Sequence, residues 1–179
     1  MLFVAFAFFA FAQAASARNG AQSAADAAAL AAAQDARDEL MDGLELAVGK
    51  SDDWLDWIVG DDFTGAGARS AAEALAAEND SVVIGFGPDE VNGYPGFWAK
   101  IETTYTVGDS IIPGTESKHA KADATAIIKP RCDVTPSADP EKAVEFECDG
   151  GETFEIDPED FEPEDLPDAS VLFSVHLAD

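Results

Sequence analysis

The side chains able to do chemistry are few, and their spacing suits none of the common reactions. His119 and His176 are the only histidines. Neither stands in the H-x-x-H or H-E-x-x-H context of a metal-bound pair. Both fall on the polar or alternate face of alternating segments, where a surface histidine is expected. No serine lies in a G-x-S-x-G turn, so a Ser-His-Asp assembly has no exposed nucleophile to build on. Cys132 and Cys148 are the only cysteines. They lack C-x-x-C spacing and are too few for a zinc ribbon. The glycine-containing stretch GDDFTGAGARS has no phosphate-binding lysine and follows no strand. The acidic stretch DPEDFEPEDLPD (157–168) offers oxygen ligands. Its acids do not follow the order of an EF-hand, and its prolines hinder wrapping around an ion, so an exposed, solvated loop is expected, pinned by Phe161 and Leu166. The expectation is therefore a non-enzyme, with no catalytic residue, no cofactor, no bound metal and no small-molecule substrate.

The same residues say where the chain works. Two cysteines flanking a Pro- and Asp-containing segment fit a single Cys132–Cys148 disulfide, which places the domain outside the cytoplasm. Two separate buried thiols are the alternative. A ring of that size stabilises by roughly 3 kcal/mol through lost chain entropy. The 179 residues carry 36 acidic and 10 basic groups, a net charge of -26. That field repels phosphate backbones, so nucleic acid is excluded as a partner. It also opposes adsorption to anionic lipid headgroups, so any membrane contact must be hydrophobic. The charge otherwise serves solubility, or adaptation to high salt.

The elements that position these groups begin with a helix. Residues 1–12 read MLFVAFAFFAFA, wholly apolar. Leu2, Phe3, Val4, Phe6, Phe8, Phe9 and Phe11 form a candidate membrane anchor over residues 1–17. At 1.5 Å per residue this spans about 25 Å, a little short of a bilayer core of about 30 Å, which suggests an anchor truncated at its start. The alternative is a secretory signal peptide, since AQA and ASA resemble cleavage sites near Ala17. Against it, no Lys or Arg precedes the apolar run. Residues 18–48 continue as proline-free helix formers, rich in alanine. One helix over about 2–47 is expected, with Gly20 its weak point before Gly43. The small residues Ala24, Ala25, Ala28, Ala31 and Ala32 permit close approach of a neighbouring helix or sheet.

Residues 49–179 read as an extracytoplasmic α+β domain. SDDWLDWIV (51–59) predicts a short amphipathic helix capped by Ser51, with Trp54, Leu55 and Ile58 on one face. GDDFTGAGA reads as a flexible connector, and 68–78 as a second short helix. From Ser81 the period becomes two. Strands are expected at 81–87, 97–107, 119–128, 144–148, around Phe154 and Ile156, and at 170–178. The segment around Asn92, Gly93 and Pro95 and the stretch 108–118 read as loops. Asp149-Gly150-Gly151 reads as a hairpin turn. Expected inward positions are Ala99, Ile101, Tyr105 and Val107, then Ala120, Ala122, Ala124 and Ala126. Val144, Phe146 and Cys148 follow, then Val171, Phe173, Val175 and Leu177. An alanine-lined sheet face suits a long helix lying directly across it. The predicted fold is thus α+β, a long N-terminal helix on an antiparallel sheet of about five or six strands.

The phrase Gln22-Ser23-Ala24-Ala25-Asp26-Ala27-Ala28-Ala29-Leu30-Ala31-Ala32-Ala33, within ARNGAQSAADAAALAAAQDAR (17–37), resembles the N-terminal region of Flp/Tad pilus-assembly proteins of the TadE/TadG type. VGDSIIPGTESKHAKADATAIIKPRC (107–132) is also similar to TadG-related proteins of high-GC Gram-positive bacteria. The resemblance implies a pseudopilin-like, single-pass protein, N-terminus inside and domain outside. It would be a structural component of type IV-like pilus assembly or a related secretion system. Its partners would be membrane lipid and other pilus-assembly proteins, met through the N-terminal helix. No glycine precedes the apolar run and position 5 is Ala5 rather than glutamate, so anchoring is implied but peptidase processing is not. The competing reading is a secreted acidic binding module released by cleavage near Ala17.

Overall fold

A computed structural model of the chain describes residues 2–60, 64–106, 117–135 and 138–178, with side chains from Phe11 onward. The expected Val107, most of the 108–118 connection and residues 61–63 of the connector lie outside the described residues, as do the side chains of Leu2, Phe3, Val4, Phe6, Phe8 and Phe9.

Helix α1 runs unbroken over Leu2–Ala47, about 69 Å at the standard rise. Neither glycine breaks it, because each makes room for an aromatic side chain. A Cβ on Gly20 would stand 2.3 Å from the Tyr105 hydroxyl, and one on Gly43 would stand 2.0 Å from the Trp57 ring. The helix stops at Gly49, whose φ of 70° is the left-handed geometry glycine supplies at a helix end. Lys50 and Ser51 donate their N–H groups back to the Ala47 carbonyl. Ser51 therefore closes α1 rather than capping the next helix. Helix α2 (Trp54–Ile58) starts one turn later, with Asp53 at its N-cap. Helix α3 spans Ala68–Glu78.

Two antiparallel sheets follow, not one. The strands are β1 (Ser81–Val91), β2 (Tyr94–Thr106), β3 (His119–Pro130), β4 (Cys132–Val134), β5 (Val144–Cys148), β6 (Glu152–Ile156) and β7 (Phe173–Leu177). One sheet has the order β1-β2-β3-β7 and the other β4-β5-β6. The architecture is α+β with a long N-terminal helix, as the sequence implies, but with seven described strands rather than five or six. Asn92 and Gly93 are not a loose loop. Val91 pairs with Tyr94 across them, and both have positive φ, the geometry of a two-residue hairpin turn. The segment 170–178 is not a single strand either. Helix α4 (Ala169–Leu172) occupies its start, so Leu172 rather than Val171 reaches full burial.

The alternation assigned to β3 holds from His119 to Ala124, with the alanines half-buried, and ends at Thr125, after which Ala126, Ile127 and Ile128 are all buried. His119, Lys121 and Asp123 are exposed, while Ala126 and Ile128 are fully buried. Tyr105 departs from its expected inward place and is 40 % exposed, its hydroxyl lying over Gly20. Leu177 is also exposed. One hydrophobic core unites the elements. It joins the α1 alanines to Ala68, Ala72 and Ala76 of α3, to Ala99, Ile101 and Ala126 of the larger sheet, and to Phe146 and Ile156 of the smaller. Cys132 and Cys148 face each other in the β4–β5 register and are joined by a disulfide, which locks that three-residue strand to its neighbour.

Candidate functional site

The segment with the most distinctive sequence is the Gln22–Ala33 stretch of α1, and most of its alanines turn inward. Ala24, Ala25, Ala28 and Ala32 are completely buried, and Ala31 nearly so. They pack within their own domain, under the larger sheet and against α3. Alanine makes this possible, because side chains no larger than a methyl let backbones approach closely. The stripe Ala68, Ala72, Ala76 on α3 answers it in kind. The neighbour foreseen for these small residues is thus the chain's own sheet and helix, and that face is covered.

The polar residues of the stretch also serve the fold. Gln22 Nε2 donates to Asp26 Oδ1 at 2.8 Å and to the Asp123 carbonyl at 3.4 Å. β7 pairs with β3 only from Ala126 to Pro130, so Asp123 lies where β3 runs on beyond its partner. Gln22 supplies a donor to that strand edge. On the N-terminal side, Ala17 is the first well-buried side chain among those described, and Phe11 is 78 % exposed.

One turn past the alanines, Glu39 holds the approach to α3. Its Oε1 accepts from Thr64 N–H at 2.8 Å and from Thr64 Oγ1 at 2.7 Å. Its Oε2 accepts from Gly65 N–H at 2.8 Å and Ala66 N–H at 3.3 Å. The N-cap of α3 is Gly67, which has no side chain to satisfy the free N–H groups of a helix start. A carboxylate from α1 does that work for the preceding turn. Burial pushes the Glu39 carboxyl up, but the hydrogen bonds from Thr64, Gly65 and Ala66 outweigh it and hold it below the ordinary range. Asp35, one turn earlier, is pushed up by burial and by its neighbours Asp38 and Glu39.

Residues 1–35 match the family model described as "Putative Flp pilus-assembly TadE/G-like". The N-terminal segment is TadE/G-like. That match points to involvement in Flp/Tad pilus assembly. It takes in the apolar run, the whole Gln22–Ala33 phrase and the first packed turns of α1, and ends before Glu39. No curated protein and no solved structure matches the chain.

Beyond the TadE/G-like segment, the remaining candidates stay apart. His119 is exposed, and its Nδ1 sits 2.7 Å from the Thr103 carbonyl oxygen. His176 is exposed on β7, opposite Ile127. Among the described residues no group of three or more His, Cys, Asp or Glu is arranged to hold a metal ion. Two acids of 157–168 turn to backbone. Asp157 accepts from Glu159 N–H, and Asp165 from Glu162 N–H. Phe161 and Leu166 pack on the core, as expected. Among the described residues no helix is long and apolar enough to cross a membrane, and the side chains of residues 2–10 are not among them.

The Glu39 clamp was not legible in the sequence. Glu39 sits in the run QDARDEL, which reads as a solvated helix face. The one signal was indirect: a helix start preceded by Thr-Gly-Ala-Gly, with no Ser, Asp or Asn to cap it. The described residues 64–66 of the supposed flexible connector are accordingly held by α1. A clear expectation follows for pH. Glu39 has a depressed folded value, so its contribution is full above the unfolded value of about 4.5 and is lost as pH falls through the folded one. Glu39→Gln will be less stable than the parent at pH 7 by about 1–2 kcal/mol, since hydrogen bonds to a charged group are the stronger kind. The gap will narrow below about pH 4.5. Urea midpoints of both proteins at pH 7 and pH 3.5 give the measurement.

Proposed function

We propose that the chain is a membrane-tethered, non-enzymatic structural component of Flp/Tad pilus assembly or a related secretion system, pseudopilin-like in plan. Its apolar N-terminal run lodges in lipid, and its acidic, disulfide-closed domain stands outside the cytoplasm. The observation that carries this reading is the continuity of α1: the apolar run, the TadE/G-like phrase and the central helix of the core are one uninterrupted element. A tether built this way fixes the domain to the membrane without a loose linker. Because Ala24, Ala25, Ala28, Ala31 and Ala32 are covered by the domain itself, contact with other pilus-assembly proteins falls to the helix before Ala17 and to the outer surface.

Deletion of residues 2–15 removes the apolar run and leaves the packed part of α1 from Ala17 onward. In cell fractionation the full chain will sediment with membranes and the deletion variant will be soluble. A deletion variant that still sediments with membranes refutes the tether. The side chains of residues 11–16 are exposed apart from half-buried Gln13, so the competing reading, a secreted module cleaved near Ala17, loses little of the core among the described residues. N-terminal sequencing of the mature protein separates the two: an intact apolar run supports the tether, and a start near Arg18 supports release.

A further inference from the structure

The larger sheet has two faces, and only one is packed on α1. On the other, the register places Glu102 beside Lys121 and, one pair along, Lys100 beside Asp123. Glu102 and Lys121 form an ion pair at 2.7 Å. Lys100, Lys121 and Asp123 are exposed, and Glu102 is half-buried. The four charges thus make a square in which every neighbour along or across the strands has the opposite sign. Farther along the same face, Lys129 stands over the Tyr94 ring and Asp89 accepts from Thr125. Three lysines therefore balance three carboxylates there, in a chain whose net charge is -26. Apolar groups of this face are also open at its β1 edge, although Ile127 is buried. Val82 is 47 % and Ile84 45 % exposed on the edge strand. The Trp98 ring lies close over Gly85 and Gly87, where a Cβ would stand 2.9 Å from it in either case.

We propose that this face binds a second copy of the chain through an isologous, two-fold contact. An alternating square of charges is its own complement. A two-fold axis along the strands sets Glu102 against the other copy's lysine at position 121 and Lys100 against its aspartate at position 123. An axis across the strands sets Glu102 against a lysine and Lys121 against an aspartate. Either way unlike charges meet. Elsewhere two copies of so acidic a chain repel one another, whereas this neutral face brings them together with the least opposition. The size also fits. A thirteen-residue β2 in a sheet four strands wide covers at most about 800 Å² per copy, the area of a standard stable interface. Trp98, flat at the centre, supplies the aromatic anchor such interfaces favour.

The test uses the full chain in detergent micelles at about 0.15 M salt, where the Debye length of about 8 Å screens the net charge but not direct contacts. Sedimentation equilibrium will show a reversible dimer. Lys100→Glu and Asp123→Lys will each weaken it at least tenfold. The fourfold variant Lys100→Glu, Glu102→Lys, Lys121→Glu and Asp123→Lys, which restores alternation with the signs exchanged, will return to within about threefold of the parent. Circular dichroism melts of each variant establish that the fold is kept. A parent that stays monomeric at about 100 µM, weaker than any specific dimer of this area, overturns the proposal. So does a dimer indifferent to Lys100→Glu, since association through the apolar helix ignores that charge. A fourfold variant as weak as the single ones overturns it too.

Discussion

Gly96→Ala will cost the protein about 3 kcal/mol or more, the largest loss expected from adding one methyl group. A Cβ at Gly96 would stand 2.1 Å from the Ala126 carbonyl oxygen and 2.9 Å from both the Ala126 carbonyl carbon and the Ile127 Cα. All three are backbone atoms of β3, so no side chain can swing aside. β2 and β3 are the two central strands of the larger sheet, and parting them at this point loosens the floor on which α1 lies. Gly93→Ala provides the comparison. It meets no atom within 4 Å, and only its φ of 84° opposes a side chain, so about 1 kcal/mol is expected. Urea midpoints of the two variants decide the matter. A Gly96→Ala midpoint no lower than that of Gly93→Ala means the strands are not this close.

Trp54→Ala will cost about 3–5 kcal/mol, the usual range for deleting a large buried aromatic side chain. Trp54 is completely buried at the start of α2, and its Nε1–H donates to the Pro140 carbonyl at 3.0 Å. It thus ties the turn after α1 to the segment that leads into β5. Trp54→Phe retains most of the apolar area but leaves the Pro140 carbonyl unpaired, so about 1–3 kcal/mol is expected. Thermal melts of the two variants separate packing from hydrogen bonding. If alanine and phenylalanine prove equally mild, Trp54 is not the pin between these segments.

The elements with strong local signals were legible from the sequence. The helix of 46 residues announced itself through alanine and the absence of proline, and α3 was read with its bounds intact. The alanine-lined face of β3 correctly implied a helix lying close across it. What escaped depends on partners distant in the chain. β4 is three residues long, too short to display a period, and is a strand because Cys132, Asp133 and Val134 find partners in β5. The end of the chain alternates so well on Val171, Phe173, Val175 and Leu177 that a single strand was expected. There the Asp168 carbonyl accepts from Val171 and Leu172 instead, coiling one turn and bringing Leu172 inward. The candidate site was legible as a phrase and not as a surface. Sequence alone does not say whether a stripe of alanines faces another protein or its own sheet, because small residues suit both.

The place of α1 at the heart of the core has a mechanical consequence. Any pull on its N-terminal end is delivered along the helix axis into the middle of the domain, past Ala21, Ala28 and Ala36 to Leu40 and Leu44, all fully buried. Methyl groups offer little interlock against sliding, whereas the bulkier leucines and the Trp57 ring seated on Gly43 resist it. The alanine half of the helix works as a smooth shaft and the leucine half as its grip. A domain pulled from that end yields only when that grip is drawn through the body, so load and folding are borne by the same side chains.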